Sequence, residues 1–206
     1  MIGLCLVAWA FAAARAAPPD PPYVVRPCLE CHSVNTMKKK TEVPSLVGQD
    51  DGYLRHQIKA FNAADNAPAR SPRLVRRHPV MTEQAKEVSV EDAFRIARWF
   101  YRQACFPARA LEQPRFLLGP PPAFVMRCFL CYGPGGKTTH ALVPSLAGQR
   151  ARHLACQLLA FCDALIDGLA RDGRYRSHRM MNRQGTHLTN AEIAQLADYF
   201  SRLDRR

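Results

Sequence analysis

Placing residue n over residue n+100 aligns the two halves of this 206-residue chain without a gap. Between 28–102 and 128–202, twenty of seventy-five positions are identical, and they cluster. Val43-Pro44-Ser45-Leu46 falls on Val143-Pro144-Ser145-Leu146, and Gly48-Gln49 on Gly148-Gln149. Leu54, Gln57, Ala60 and Phe61 return as Leu154, Gln157, Ala160 and Phe161. Arg76, His78, Met81 and Gln84 return as Arg176, His178, Met181 and Gln184. Such a chain has to fold as one small unit made twice.

Both copies carry the same coarse pattern. Tyr53, Leu54, Ile58 and Phe61 recur at helical spacing, as do Leu154, Leu158 and Phe161. Ser89 with Asp92, and Thr189 with Glu192, resemble capping boxes: a hydroxyl at the N-cap and a carboxylate three residues on. The helices they open should bury Ile96, Ala97 and Phe100, and Ile193, Leu196, Ala197 and Phe200. Pro-rich Pro18–Pro22 and Gly119–Pro122 read as linkers before each cysteine motif. No segment alternates convincingly enough to be a strand. The expected fold is all-α with long loops, in two tandem domains spanning 17–107 and 108–206.

Residues 1–16 stand apart. Ile2 to Ala14 is apolar but short for a bilayer, and Ala14-Arg15-Ala16 suits a signal-peptidase site. An exported, periplasmic protein is expected, although no Lys or Arg precedes the apolar run. The whole chain has a formal net charge of +12, and removal of residues 1–16 with Arg15 leaves +11. Exported proteins rarely meet nucleic acid, so the charge points to acidic protein partners. Membrane association is expected only through partners or an uncleaved signal segment.

Seven cysteines follow position 16, at 28, 31, 105, 128, 131, 156 and 162. An odd number excludes a disulfide framework as the whole explanation. Cys28-Leu29-Glu30-Cys31-His32 is the C-x-x-C-H signature of covalent haem attachment. Two thiols three positions apart can meet the two vinyl groups of one porphyrin, and the adjacent imidazole is held under the iron. A thioredoxin-like pair would need a βαβ pattern, and zinc would need a second ligand pair at finger-like spacing. Neither is present. The sixth iron ligand of such a haem is often a methionine sulfur. Met81 is the candidate, because Met181 repeats it outside the helical stripes; Met37 and Met180 are alternatives.

CLECH, VPSLVGQ, YLRHQIKAF, Met81 and SVEDAFRIARWF together resemble the diheme class I cytochromes c of the cytochrome c4 type. VPSLAGQ, HLACQLLAF, Met181 and LTNAEIAQLADYF resemble the second domain of the same family. The resemblance spans about residues 23–204. It implies tandem cytochrome c folds in the periplasm, each with a His/Met-ligated haem c, passing electrons without catalysing a reaction. It further implies redox partners such as terminal oxidases, or dehydrogenases of the flavocytochrome c sulfide dehydrogenase type. In those dehydrogenases the cytochrome serves as an interaction subunit. Cys28 and Cys31 would attach haem, with His32 and Met81 as axial ligands.

The second motif departs from the pattern, because Cys128-Phe129-Leu130-Cys131 is followed by Tyr132. Three readings stay open. The second haem is absent; or it is attached and Tyr132 ligates as a phenolate; or it is attached and another residue such as His140 supplies the proximal nitrogen. Larger, greasier neighbours (Phe129 for Leu29, Leu130 for Glu30) lean towards a pocket filled by side chains. One haem c is expected and two are possible, the second on Cys128 and Cys131 with Met181 and Tyr132 at the iron. Gly133-Pro134-Gly135-Gly136-Lys137 is not a phosphate loop, since Cys131 stands where its first glycine is required. Lys38-Lys39-Lys40 is a candidate docking patch. Arg76 and Arg176 are candidates for haem propionates. Cys105, Cys156 and Cys162 have no assigned role, and the six-residue spacing of the last two argues against a mutual disulfide.

Overall fold

The computed structural model describes residues 20–40, 42–63, 75–103, 121–166 and 175–205. The expected signal peptide, the 107/108 domain boundary and Cys105 lie outside these residues. The first half runs α1 (Arg26–His32), α2 (Val34–Lys39), α3 (Asp51–Asn62), β1 (Val75–Arg77), α4 (Pro79–Lys86) and α5 (Val90–Arg102). The second runs α6 (Met126–Tyr132), α7 (Ala151–Ile166), β2 (Tyr175–Ser177), α8 (Arg179–Gly185) and α9 (Asn190–Ser201). A short 3-10 turn, Tyr23–Val25 or Ala123–Val125, leads into each cysteine helix.

The two cores are built from the same repeat positions. Val25, Leu54, Ile96, Ala97 and Phe100 cluster in the first half. Val125, Leu154, Leu196, Ala197 and Phe200 do so in the second. The helical stripe read from sequence therefore faces the core, and it is what docks α5 on α3 and α9 on α7. Ser89 and Thr189 cap their helices as expected; only Thr189 and Glu192 complete the reciprocal box, the Glu192 carboxylate accepting from the Thr189 N–H at 2.8 Å. Gly48 and Gly148 adopt positive φ, and each donates its N–H to the end of the partner helix, at Phe100 O and Phe200 O.

Two local expectations are corrected. Met81, which the repeat places outside the helical stripes and which would then lie in a loop before the last helix, sits in the first turn of α4. His78 Nδ1 accepts from the Val80 and Met81 N–H groups, and Pro79 occupies the first turn, where its missing donor costs nothing. Two strands also exist. β1 pairs antiparallel with β2, with Arg76 opposite Arg176. Each strand is three residues long, too short to show alternation, and its partner is the other copy of the repeat.

The halves join about a pseudo-twofold axis. Gln49 Oε1 accepts from Ser145 N–H at 2.8 Å while its Nε2 donates to Ser145 O at 3.1 Å. Gln149 makes the same two bonds to Ser45, at 2.8 and 3.1 Å. The repeated Ser and Gln are thus each other's partners across the axis. Arg205 fastens the end of the chain to both halves, donating to Ala147 O and to Val47 O.

Candidate haem site

Helix α1 presents Cys28 and Cys31 one turn apart, with His32 at its end. Pro27 sits in the first turn, where proline is tolerated. The His32 ring is buried, and its Nδ1 lies 3.0 Å from the Pro44 carbonyl. That carbonyl can only accept, so Nδ1 carries the proton and Nε2 is left with its lone pair. Burial lowers the imidazole pKa, which keeps the ring neutral, the form a metal needs. The repeated Val-Pro-Ser-Leu segment therefore has a function at its proline carbonyl that its sequence did not reveal. Burial pushes the Cys28 and Cys128 thiols up, so neither is a ready thiolate for a metal ion.

A cavity of about 540 Å³ lies between the halves, inside the range of about 300–1,000 Å³ usual for cofactor pockets. Cys31, His32 and Met81 line it together with Leu54, Ile58 and Phe61. An apolar chamber, a neutral imidazole with a free nitrogen, a thioether from α4 and two thiols on α1 fit a haem. The four residues named from the sequence are therefore on two elements, α1 and α4, that border one chamber or its core. Met37 is fully buried and does not line the cavity, while Met180 is exposed.

The second half lines the same cavity with Cys128, Tyr132 and Met181, but their arrangement differs. The Tyr132 hydroxyl donates to Met181 Sδ at 2.7 Å. A phenol is longer than an imidazole, so its oxygen reaches the place where an iron would have to lie between the two. Burial raises the phenol pKa far enough to keep it protonated, with nearby Arg176 opposing only in part. The argument from greasy neighbours needs correction: Leu130 is 88% exposed, and Phe129 packs on the core beside Phe200 as Leu29 does on its own core. Of Phe129, Leu130 and Tyr132, it is Tyr132 that lines the chamber. His140 is exposed at a loop, its Nδ1 accepting from Leu142 N–H, and does not line the cavity.

Where α2 stands in the first half, Pro134–Gly136 makes a 3-10 turn. A Cβ at Gly136 would lie 2.8 Å from the Phe200 ring, so glycine is required by close packing. Lys38, Lys39 and Lys40 are exposed at the end of α2. No disulfide joins the described cysteines; Cys156 lines the cavity and Cys162 packs near Gly185. No group of three or more His, Cys, Asp or Glu able to hold a metal ion occurs among the described residues.

Sequence reasoning missed His153, the counterpart of Tyr53. Its Nδ1 bonds the Glu42 carbonyl of the first half at 3.0 Å, and the ring lines the cavity. Only its replacement of Tyr53 in the repeat signalled it.

No family profile matches the chain. Among curated proteins it is similar to the thiosulfate dehydrogenase electron acceptor of Thiomonas intermedia, 29% identical over 171 residues, covering 78% of this chain and 72% of that one. It is 24% identical over 191 residues to the protein of the same name from Stutzerimonas stutzeri, covering 87% and 80%. It is 26% identical over 187 residues to cytochrome c4 of Azotobacter vinelandii, covering 85% and 84%. Reduced cytochrome c4 from Pseudomonas stutzeri superposes with a TM-score of 0.61 at 26% identity, covering 87% of this chain and 95% of that one.

The chain is an electron-transfer cytochrome similar to cytochrome c4. Its cofactor is haem c, one or two per chain. The all-α tandem fold agrees with the family. This cytochrome also matches part of the thiosulfate dehydrogenase TsdBA from Marichromatium purpuratum, with a TM-score of 0.61 and 25% identity. That match covers 86% of the cytochrome and 36% of the TsdBA chain. No helix among the described residues is long and apolar enough to cross a membrane.

Proposed function

We propose that this is a periplasmic single-haem carrier in which a second cytochrome domain has lost its iron site. Domains at 17–107 and 108–206 are the units of this reading. Haem c would be bound through Cys28 and Cys31, with His32 and Met81 as axial ligands, and would supply a one-electron couple. The chain's own residues do the rest. Pro44 fixes the imidazole tautomer, α4 holds the thioether, and the apolar walls exclude water. With His32 and Met81 both holding the iron, no place would remain for a substrate, which supports a carrier rather than an enzyme. The observation that carries the one-haem reading is the Tyr132–Met181 hydrogen bond. Counting covalent haem masses on protein made with a maturation system tests it: one mass is expected, and two would overturn it.

The electron donor in this reading is a dehydrogenase with an acidic docking face. The two relatives named electron acceptors of thiosulfate dehydrogenase support a donor of that class. A complementary role as interaction subunit has its own support on the second half. Arg26, Glu30, Glu42 and Lys59 become Met126, Leu130, Leu142 and Leu159, all exposed. Met126 and Leu130 share one face of α6, four residues apart.

A further inference from the structure

Arg76 and Arg176 stand directly opposite each other in the β1–β2 pair. Like charges in that position repel, and here they also leave water. Both guanidinium groups converge on one atom, Gln157 Oε1; Arg76 reaches it at 3.2 Å and Arg176 by a short bond. Arg76 also donates to Gln57 Oε1 at 2.7 Å, and Arg176 to the Tyr53 hydroxyl at 3.1 Å. Each guanidinium lies over a phenylalanine, Arg76 on Phe61 at 4.5 Å and Arg176 on Phe161 at 4.7 Å. Among the described residues every acceptor is neutral, no carboxylate pairs with either arginine, and the buried Arg176 Nε has no partner. Burial and the neighbouring Arg176 pull the Arg76 pKa down to about 9. Two cations held face to face without a counter-ion are costly, and an anion between them removes the cost. Both line the cavity, as do Gln157, Tyr53 and His153.

We infer that this cluster is a dicarboxylate-binding wall on which the degenerate half supplies Arg176 and Gln157 to the propionates of the haem held by the first half. The inference rests on the one-haem reading. It gives the second half a use that survives the loss of its own iron site. Arg176 crosses the axis to Tyr53, a first-half residue, and His153 crosses to the Glu42 carbonyl. Arg176 is a positioning residue that sets the charge around the haem, and it does not touch the iron.

Electrochemistry tests the assignment. In Arg176→Gln the midpoint potential should fall, because a lost cation favours the ferric state. Arg176→Lys should keep the potential close to wild type. Mass and visible spectra should show one haem with unchanged ligation in both. An unchanged potential in Arg176→Gln overturns the inference while leaving the one-haem reading intact. Two haem masses in wild type overturn that reading and this assignment with it. Exchange of chloride for sulfate or thiosulfate at constant ionic strength distinguishes the other source of anion. A potential that follows the added anion, and stops doing so in Arg176→Gln, would assign the wall to a solution anion and overturn the propionate assignment. Wild-type protein gives a reading that depends on no variant folding. Its reduced-minus-oxidised infrared difference spectrum, with carbon-13 at the haem carboxyls, should show carboxylate bands at neutral pH. A carboxylic-acid band there would also overturn the inference.

Discussion

The Tyr132 hydroxyl donates to the Met181 sulfur at 2.7 Å, whereas His32, its counterpart in the repeat, turns its Nδ1 to the Pro44 carbonyl. One substitution has joined the two positions whose counterparts, His32 and Met81, are the proposed iron ligands of the first half. Restoring the imidazole should reopen them, since Leu130 is solvent-exposed and the chamber has not been filled from that side. Tyr132→His is therefore expected to gain a second covalent haem, read by mass and by a doubled haem absorbance per chain. Tyr132→Phe should stay at one. A Tyr132→His protein that also stays at one would locate the block elsewhere than the tyrosine.

Met81 belongs to α4 and borders the same chamber as His32. Met81→Ala should abolish the weak near-infrared sulfur-to-iron band of the oxidised protein and let the reduced protein bind carbon monoxide. A band that persists would assign the sixth ligand to another residue.

In the reciprocal Gln49–Ser145 and Gln149–Ser45 bonds both glutamines are buried, and each is used at both ends of its amide. Gln49→Leu leaves the Ser145 N–H and carbonyl without these partners. The loss is expected to be about 1–3 kcal/mol of stability, seen as a lower denaturant midpoint. Because the change acts at the junction, the two halves should then unfold less cooperatively.

His153 is held well below the usual imidazole range, first by burial and then by Arg76 and Arg176. Its folded pKa is depressed, so only the unfolded chain takes up the proton near its ordinary pKa of about 6.5. Stability should be undiminished above that pH and should fall as pH drops below it. Urea titrations on either side of about pH 6.5 should show the fall in wild type and a shallower one in His153→Gln. Equal slopes would remove His153 as the cause.

Lys38, Lys39 and Lys40 are exposed on a chain whose net charge is +12 before any processing. Electron transfer with an acidic partner should slow as salt shortens the Debye length from about 30 Å at 0.01 M to about 10 Å at 0.1 M. Changing all three lysines to glutamine should flatten that dependence. Stopped-flow rates that ignore salt would remove the docking role.

Most of the scaffold was legible in the sequence because its determinants are local or periodic. The gap-free register of one hundred identified the tandem fold and the matching cores built on Val25 and Val125, Leu54 and Leu154, Phe100 and Phe200. The hydroxyls of Ser89 and Thr189 marked helix starts because a cap acts within three residues. C-x-x-C-H named its cofactor because one helical turn fixes the two thiols and the imidazole together. What sequence could not decide depends on contacts between residues a hundred positions apart. Leu130 looked like pocket filling, yet the helix turns it to solvent. Ser45, Gln49 and Arg76 stood in the sequence as repeat signature, and His153 only as a departure from it at Tyr53, until the pseudo-twofold axis brought each against the other copy. A hydrophobic stripe constrains its own element, but a hydrogen bond across an axis exists only once two folded halves meet. That is why the chain's sequence specified its class, while its tertiary structure decided how its second half is used.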